Sequence, residues 1–177
     1  MKCNARDISK KIRSSLRIRM KDGSYIGNFP PYGYEKYPGP PIRLVPESEA
    51  SLIVKHDFAL GAEGRTPAQI ARLLNASHIL SPSCYRISKY PQLRESSYPS
   101  CGKWTANTIL KMLHNPVYLG RMVQGKSRKL SFKSRLTIKN PKELWIDGGI
   151  THEAIVTEEL FQACQAAIEK RKCRAGQ

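Results

Sequence analysis

The sequence contains few cysteines, no long apolar stretch and little negative charge. Its five cysteines are scattered and never form a C-x-x-C pair, so we expect neither a zinc ribbon nor a disulfide-dense scaffold. No window approaches the roughly 18 apolar residues of a membrane-spanning helix, and the N-terminal segment has no signal-peptide core. We therefore expect a protein of the cytoplasm.

Recognisable catalytic motifs are missing as well. The patterns H-E-x-x-H, G-x-S-x-G and G-x-G-x-x-G and the Walker A loop do not occur. The four histidines lie far apart, and carboxylates are sparse among the bases, which disfavours a metal-dependent nuclease. We expect no metal, no cofactor and no catalytic residue, and a stand-alone nuclease or ligase is the weakest interpretation.

Positive charge dominates the composition. Thirty Lys and Arg residues stand against 14 Asp and Glu, a net charge of +16 in 177 residues. Such an excess favours an anionic partner, with nucleic acid as the first candidate and an anionic membrane as the second. A basic surface without any partner remains the alternative interpretation. The bases concentrate in two blocks, residues 1–21 and 96–142. Because glycine and proline interrupt the second block, it is not one amphipathic membrane-binding helix.

Apolar residues at helical spacing predict five helices. One is basic and covers residues 7–20, one follows Pro46, one begins at residues 66–69, one spans 106–114 and one spans 157–174. The helix at 66–69 begins with a capping box and has proline at its first helical position. Residues 25–34 and 81–102 are rich in Pro, Gly, Ser or Tyr, which predicts loops.

The helical wheel assigns inward side chains to the last four of these helices. They are Ala50, Ile53, Val54 and Phe58, then Ile70, Leu73 and Leu74, then Ala106, Ile109, Leu110 and Leu113, and finally Leu160, Phe161, Cys164 and Ile168. Two cysteines of the last helix are expected to be simple thiols and not ligands, with Cys164 buried and Cys173 exposed.

The helix at residues 106–114 carries an informative polar face. Its outer side presents Asn107, Thr108, Lys111 and His114. As the last of three short helices, it suits a helix-turn-helix unit, in which this helix enters the major groove and Asn pairs with adenine or Lys with guanine. An ordinary three-helix packing with a solvated polar face is the alternative.

Beyond Pro116 the apolar period changes from helical to alternating. Residues 130–139 predict a half-buried strand with a cationic face, paired with residues 118–124 across a turn at 125–128, and residues 143–146 predict a third strand. We expect an α+β fold: a helix-turn-helix-like bundle, a small antiparallel hairpin or sheet, and a C-terminal helix. The basic hairpin suits phosphate contacts, although a solvated sheet face explains it equally.

Several segments together resemble one protein family. They include KDGSYIGNFPPYGY at 21–34, QIARLLN at 69–75, ILSPS at 79–83, WTANTIL and LHNPVYLG within 104–120, and THEAIV at 151–156. In this order and spacing they resemble the recombinase domain of large serine recombinases. The resemblance covers nearly the whole chain and is more specific than any single motif.

The resemblance implies a DNA-binding module of a phage integrase or transposon recombinase, from a bacterium or its mobile elements and associated with the nucleoid. It implies a linker helix at residues 1–22 and a DNA-binding domain at 23–177, without the family's catalytic serine domain or cysteine-rich zinc domain. The chain would then be non-catalytic and would bind attachment-site half-sites in double-stranded DNA. Alone it would be a monomer, and the parent protein would assemble with other recombinase subunits.

Candidate DNA-binding residues follow from the charge pattern, the helical wheel and this resemblance together. They are Lys10, Lys11, Arg13, Arg17, Arg19, Lys21, Lys103, Asn107, Thr108, Lys111, His114, Arg121, Lys126, Arg128, Lys129, Lys133 and Arg135. The competing interpretation is an RNA-binding module of ribosomal or translational type. It would need exposed aromatic rings, whereas we expect Tyr32, Tyr34 and Trp104 to pack inside.

Overall fold

The computed structural model describes residues 5–91, 93, 102–130, 134 and 136–175. This part of the chain is mixed α and β, which confirms the expected α+β class. The helices are α1 (Ala5–Lys21), α2 (Ser48–Ala62), α3 (Pro67–Ala76), α4 (Pro82–Lys89), α5 (Ala106–Leu113) and α6 (Glu158–Ala175). The strands are β1 (Tyr34–Tyr37), β2 (Arg43–Pro46), β3 (Arg121–Gln124), β4 (Ser127–Lys129), β5 (Thr137–Lys139) and β6 (Ile146–Ile150). Within these ranges no helix is long and apolar enough to cross a membrane.

The described strands form three antiparallel pairs. β1 pairs with β2, β3 with β6, and β4 with β5. The expected pairing of residues 118–124 with 130–139 is therefore wrong for the described residues, because β3 takes β6 as its partner and β5 takes β4. Among the residues of 130–139 that the structure describes, only Thr137–Lys139 form a strand, β5, and Leu136 just before it is 66% exposed.

Two further strand predictions need correction. The third strand begins at Ile146, because a short 3-10 helix occupies Lys142–Leu144. The hairpin of β1 and β2 was not predicted, since both strands lie among turn-forming residues. In the structure, Tyr34 of β1 and Leu44 of β2 anchor the two strands, since their side chains are only 3% and 1% exposed.

The chain divides into two compact units. The first comprises Met1–Ser51 and Pro116–Ile155, and contains α1 and the six strands of the described residues. The second comprises Leu52–Asn115 and Val156–Gln177, and contains most of α2 with α3, α4, α5 and α6. Each unit is thus assembled from two separate stretches of sequence.

Tyr34 is a central residue of the first unit. Its ring stacks on Tyr118 with centroids 5.9 Å apart and meets His152 edge-on at 5.0 Å. Its hydroxyl lies 3.1 Å from the carbonyl oxygen of Val117 and 3.0 Å from that of Glu153. The Nε2 of His152 donates to the same Val117 carbonyl at 2.8 Å, and burial lowers the pKa of His152, which favours the neutral ring.

In the second unit, α2 and α6 approach each other closely at two points. Phe58 stacks on Phe161 with ring centroids 5.6 Å apart. One turn further along α2, a Cβ on Gly61 would lie 2.6 Å from the Sγ of Cys164, so only glycine allows this approach. As expected, Cys164 is buried and Cys173 exposed, and both are free thiols.

The start of α3 confirms the expected capping box. The backbone N–H of Gln69 donates to the Thr66 hydroxyl at 3.2 Å, and the backbone N–H of Thr66 donates to the Gln69 side-chain oxygen at 2.8 Å. These two bonds satisfy donors that the first helical turn leaves without partners. The helix therefore begins where the sequence signal predicts.

Some expected inward faces are rotated, and part of one expected loop is helical. Leu73 is 41% exposed, because α3 buries Ile70, Ala71 and Leu74. In α5 the first residue, Ala106, is exposed, while Met112 is buried.

Within the expected loop at 81–102, α4 starts at Pro82 after Ser81, whose hydroxyl accepts from the Cys84 N–H at 3.4 Å. This serine-proline start signal was overlooked. Cys84 is disulfide-bonded, which the cysteine spacing did not predict.

Candidate nucleic-acid interface

Six of the candidate bases lie on α1, and all six are exposed. They are Lys10, Lys11, Arg13, Arg17, Arg19 and Lys21. At about 100° per residue, the spacing of three, four and four residues from Lys10 to Lys21 places four of them on one face. This α1 stripe consists of Lys10, Arg13, Arg17 and Lys21. Lys11 and Arg19 project from other faces of the helix.

A cleft of about 560 Å³ lies between α1 and β4, within the first unit. From α1 it is lined by Arg13 and Arg17, and from β4 by Arg128 and Lys129. The structure thus brings together two groups of candidate residues that are more than a hundred positions apart in the sequence. None of the residues lining the cleft is acidic.

Two other candidate bases of the first unit are engaged by neighbouring side chains. The Nε of Arg121 donates to Asp147 at 2.8 Å, and this hydrogen bond, with one from the Gly149 N–H, lowers the pKa of Asp147. The Nζ of Lys126 lies 5.3 Å from the ring centroid of Trp145, and burial lowers the pKa of Lys126. Both cations are therefore less available to a ligand than those on the cleft. Two more candidates, Lys133 and Arg135, lie outside the described residues.

In the second unit, α5 starts at the N-cap Thr105. Its hydroxyl accepts from the Thr108 N–H at 3.2 Å and lies 2.9 Å from the Thr108 hydroxyl. At the other end, the Nδ1 of His114 lies 2.5 Å from the side-chain oxygen of Gln165. Two of the four outer residues therefore already have partners within the unit.

The other two residues of the outer face, Asn107 and Lys111, are available to a ligand. Both are exposed and stand four residues apart, one helical turn, so their side chains project side by side. Among the described residues, neither side chain forms a hydrogen bond or an ion pair. A side-chain amide that can both donate and accept, beside a cation on the outer face of a helix, has the hydrogen-bonding groups that contact with base edges requires.

Asn75 fixes the segment that leads into α5. Its side-chain nitrogen donates to the Trp104 carbonyl at 3.0 Å, and its side-chain oxygen accepts from the Trp104 N–H at 2.9 Å. The Trp104 indole N–H in turn donates to the Ile79 carbonyl at 3.0 Å. Sequence reasoning gave Asn75 no role, because its partner lies 29 residues away.

Replacing Asn75 by alanine should lower the free energy of unfolding by about 1–3 kcal/mol, because the backbone N–H and C=O of Trp104 lose the two hydrogen bonds made by the Asn75 side chain. Chemical denaturation measures the change. Arg72→Ala, an exposed position on the same helix, is the matched control and should change stability by no more than about 0.5 kcal/mol. Equal losses for both variants would show that the amide pair does not hold this segment.

The last candidate base, Lys103, and three aromatic residues differ in their exposure to solvent. Lys103 is exposed and, with His78, lines a cavity of about 260 Å³ in the second unit. Tyr32, Tyr34 and Trp104 are 9%, 3% and 3% exposed, so their rings are packed inside as expected. No group of three or more His, Cys, Asp or Glu among the described residues could hold a metal ion.

Comparison with known proteins gives two findings. The family model described as Recombinase matches residues 48–171. Among solved structures, the fold is similar to that in the crystal structure of a large serine recombinase (LSR)–DNA complex, with a TM-score of 0.52 and 16% sequence identity. The similarity covers 89% of this chain and 38% of the solved chain. No curated protein matches the chain significantly.

Proposed function

This chain belongs to the recombinase family, and from that membership we propose that it binds double-stranded DNA at the attachment sites of a site-specific serine recombinase. Residues 23–177 would form the DNA-binding domain and residues 1–22 the linker helix. The parent protein would be a phage integrase or transposon recombinase acting on bacterial DNA with other recombinase subunits. In this proposal the chain binds DNA, and strand cleavage belongs to another part of the parent.

The exposed pair on α5 is the observation that carries this proposal. Asn107 can pair bidentately with adenine, and Lys111 can donate to guanine O6 or N7. Because the hydroxyl of Thr108 and the ring of His114 already have partners, we expect them to contribute less to base recognition. Two side chains one turn apart would read neighbouring bases.

The bases of the first unit support the same proposal. Phosphate contacts carry little sequence information, but they supply affinity and fix the register of a protein on the duplex. The α1 stripe with Arg128 and Lys129 offers six exposed cations for this task, and the stripe suits a narrow minor groove. We expect smaller contributions from Arg121 and Lys126, whose charges face Asp147 and Trp145.

Burial of Tyr32, Tyr34 and Trp104 favours duplex DNA over single-stranded RNA, although Tyr37 is 61% exposed. Recognition of unpaired bases relies on stacking against exposed rings. Tyr34 and Trp104, each 3% exposed, cannot serve as such a platform without unfolding their surroundings. The RNA-binding alternative therefore has less support than duplex binding.

Selection from random duplexes followed by titration tests the proposal. We expect one half-site to be enriched, and to bind at least about a thousandfold more tightly than random duplex. Structured RNA is the third ligand, and roughly 50 and 200 mM salt are the two conditions, since non-specific binding weakens steeply between them. Equal binding to all three ligands that disappears at the higher salt would contradict sequence-specific recognition.

Single substitutions separate base reading from phosphate binding. Asn107→Ala and Lys111→Ala should each reduce discrimination between selected and random duplex by about 10- to 100-fold, corresponding to 1–3 kcal/mol. Arg17→Ala should weaken binding to both duplexes alike, and Lys55→Ala, an exposed position on α2, should weaken neither. The α5 assignment fails if the first three variants lose affinity equally on both duplexes.

A further inference from the structure

The cleft between α1 and β4 has an apolar floor. The floor consists of Leu16, Met20, Ile26, Leu144 and Ile146. None of these side chains is fully buried, and Leu144 is 49% exposed. Five neighbouring apolar side chains that stay open to solvent form a patch of the kind that marks a binding site.

The rim of the same cleft carries positive charges and no acidic side chain. Arg13 and Arg17 stand on one side, Arg128 and Lys129 on the other. Among the residues that the structure describes, none of the four forms an ion pair. Because a concave surface with an apolar wall and charges of one sign focuses their electric field, the attraction of these charges for an anion is stronger than at a flat surface.

Duplex DNA matches the rim but not the floor. Its outer surface is sugar and charged phosphate, so contact with DNA leaves the five apolar side chains without an apolar partner. A ligand that matches both parts must carry apolar groups on one side and negative charges beside them. An amphipathic peptide with Leu or Phe on one face and Glu or Asp along its edges has this pattern.

We propose that this cleft binds an acidic amphipathic peptide segment of a partner protein. The apolar side chains of the segment lie on Leu16, Met20 and Ile146, and its carboxylates face the arginines of α1 and the Arg128–Lys129 pair. The volume of about 560 Å³ accommodates several side chains and is in the range of ordinary binding pockets.

Occupation of the cleft regulates DNA binding, a consequence that rests on the proposed function. The four rim cations are also candidate phosphate contacts, so the peptide and DNA compete for Arg13, Arg17, Arg128 and Lys129. Linkage makes the effect reciprocal, so that each ligand lowers the affinity for the other by the same factor. Binding of the partner protein would thereby displace DNA from this chain.

A designed peptide pair tests the cleft directly. The probe is a synthetic helix of about 14 residues, four turns, with Leu on one face and Glu on the other. A peptide of identical composition and scrambled order is the control. By fluorescence polarisation at roughly 150 mM salt, where surface charge is well screened, we expect the amphipathic peptide to bind about tenfold more tightly than the scrambled one.

Variants of the whole chain locate the binding. Arg128→Glu on the rim and Leu144→Gln on the floor should each weaken peptide binding about tenfold. The matched control is Arg43→Glu, which makes the same change of charge at an exposed position of β2 in the same unit and should leave binding unchanged. Equal binding of the two peptides, equal losses for Arg128→Glu and Arg43→Glu, or no binding below about 1 mM would each overturn the proposal.

A competition arm distinguishes the two proposals from each other. Peptide titrated against a complex with random duplex should release the DNA. Duplex binding without any peptide binding overturns the cleft inference and leaves the proposed function standing. Peptide binding without any duplex binding overturns the proposed function and leaves the cleft as a peptide-binding site. Peptide binding that leaves the duplex affinity unchanged overturns the shared use of the rim cations.

Discussion

Replacing the four bases of the α1 stripe, Lys10, Arg13, Arg17 and Lys21, by glutamine should weaken binding to any duplex by about 100- to 1,000-fold near 0.15 M salt. Each lost phosphate contact should also reduce the slope of log K against log salt by about 0.9, or roughly 3–4 for the four together. Glutamine is a good helix former, so α1 should persist. Circular dichroism checks the helix, and titrations at several salt concentrations give the slope.

A matched pair of double variants tests the role of the face and not only the total charge. Arg13→Gln with Arg17→Gln removes two charges from the stripe, whereas Lys11→Gln with Arg19→Gln removes two charges from other faces of the same helix. The first pair should cost at least about ten times more affinity than the second. Equal losses would mean that α1 acts only as a diffuse positive charge.

Asp57→Asn should stabilise the protein at pH 8 by about 2–4 kcal/mol and remove most of the pH dependence of stability between about pH 4 and pH 7. Asp57 is fully buried on α2, and its two carboxylate oxygens have no hydrogen-bond partner. Burial raises the pKa of its carboxyl to about 7. The amide of asparagine is also buried without partners but carries no charge, so its cost is smaller.

The direction of the pH effect follows from proton binding. Between the unfolded pKa near 4 and the folded pKa of about 7, the folded chain holds the proton that the unfolded chain has released. Stability therefore falls as pH rises through this window, by about 1.4 kcal/mol per unit and about 4 kcal/mol in total. Above the pKa of Asp57 in the folded state, the loss of stability is complete and no longer changes with pH.

Urea denaturation at pH 5 and pH 8 measures this effect. Trp104 fluorescence in a Trp145→Phe background reports on the second unit, which contains Asp57. Glu63→Gln, at an exposed carboxylate of the same unit, is the control and should change stability by less than about 0.5 kcal/mol. If Asp57→Asn leaves the difference between the two pH values unchanged, the side chain is not the source of the pH dependence.

Two helix starts were predicted from local signals, whereas the equally local signal of α4, Ser81 before Pro82, was overlooked. The capping box at Thr66 and Gln69 and the threonine before α5 act within one turn, so the sequence alone locates both helix starts. Strand pairing depends on residues far apart in the chain. The pairing of Arg121 with Ile150 replaced the expected neighbour, and a local alternation pattern contains no information about this choice.

The candidate site divides in the same way. The wheel of α5 predicted Asn107 and Lys111 on the exposed face, because helix geometry alone determines which residues share a side. It could not predict that Gln165, 51 residues away, engages His114. The partnership of Asp147 with Arg121, 26 residues apart, was equally hidden. A count of bases therefore overestimates how many cations are available to a ligand.

The hydroxyl of Tyr34 also has a consequence for synthesis of the chain. Its acceptors lie 83 and 119 residues further along, so the first unit cannot close until Glu153 has left the ribosome. At a translation rate of about 5–20 residues per second, this tyrosine waits roughly 6–24 s for its partners. During that interval its aromatic ring and the other apolar side chains of the unfinished unit are accessible to chaperones. Truncated chains released from the ribosome that end before Val117 should therefore remain bound to chaperones, and released chains that extend past Ile155 should not.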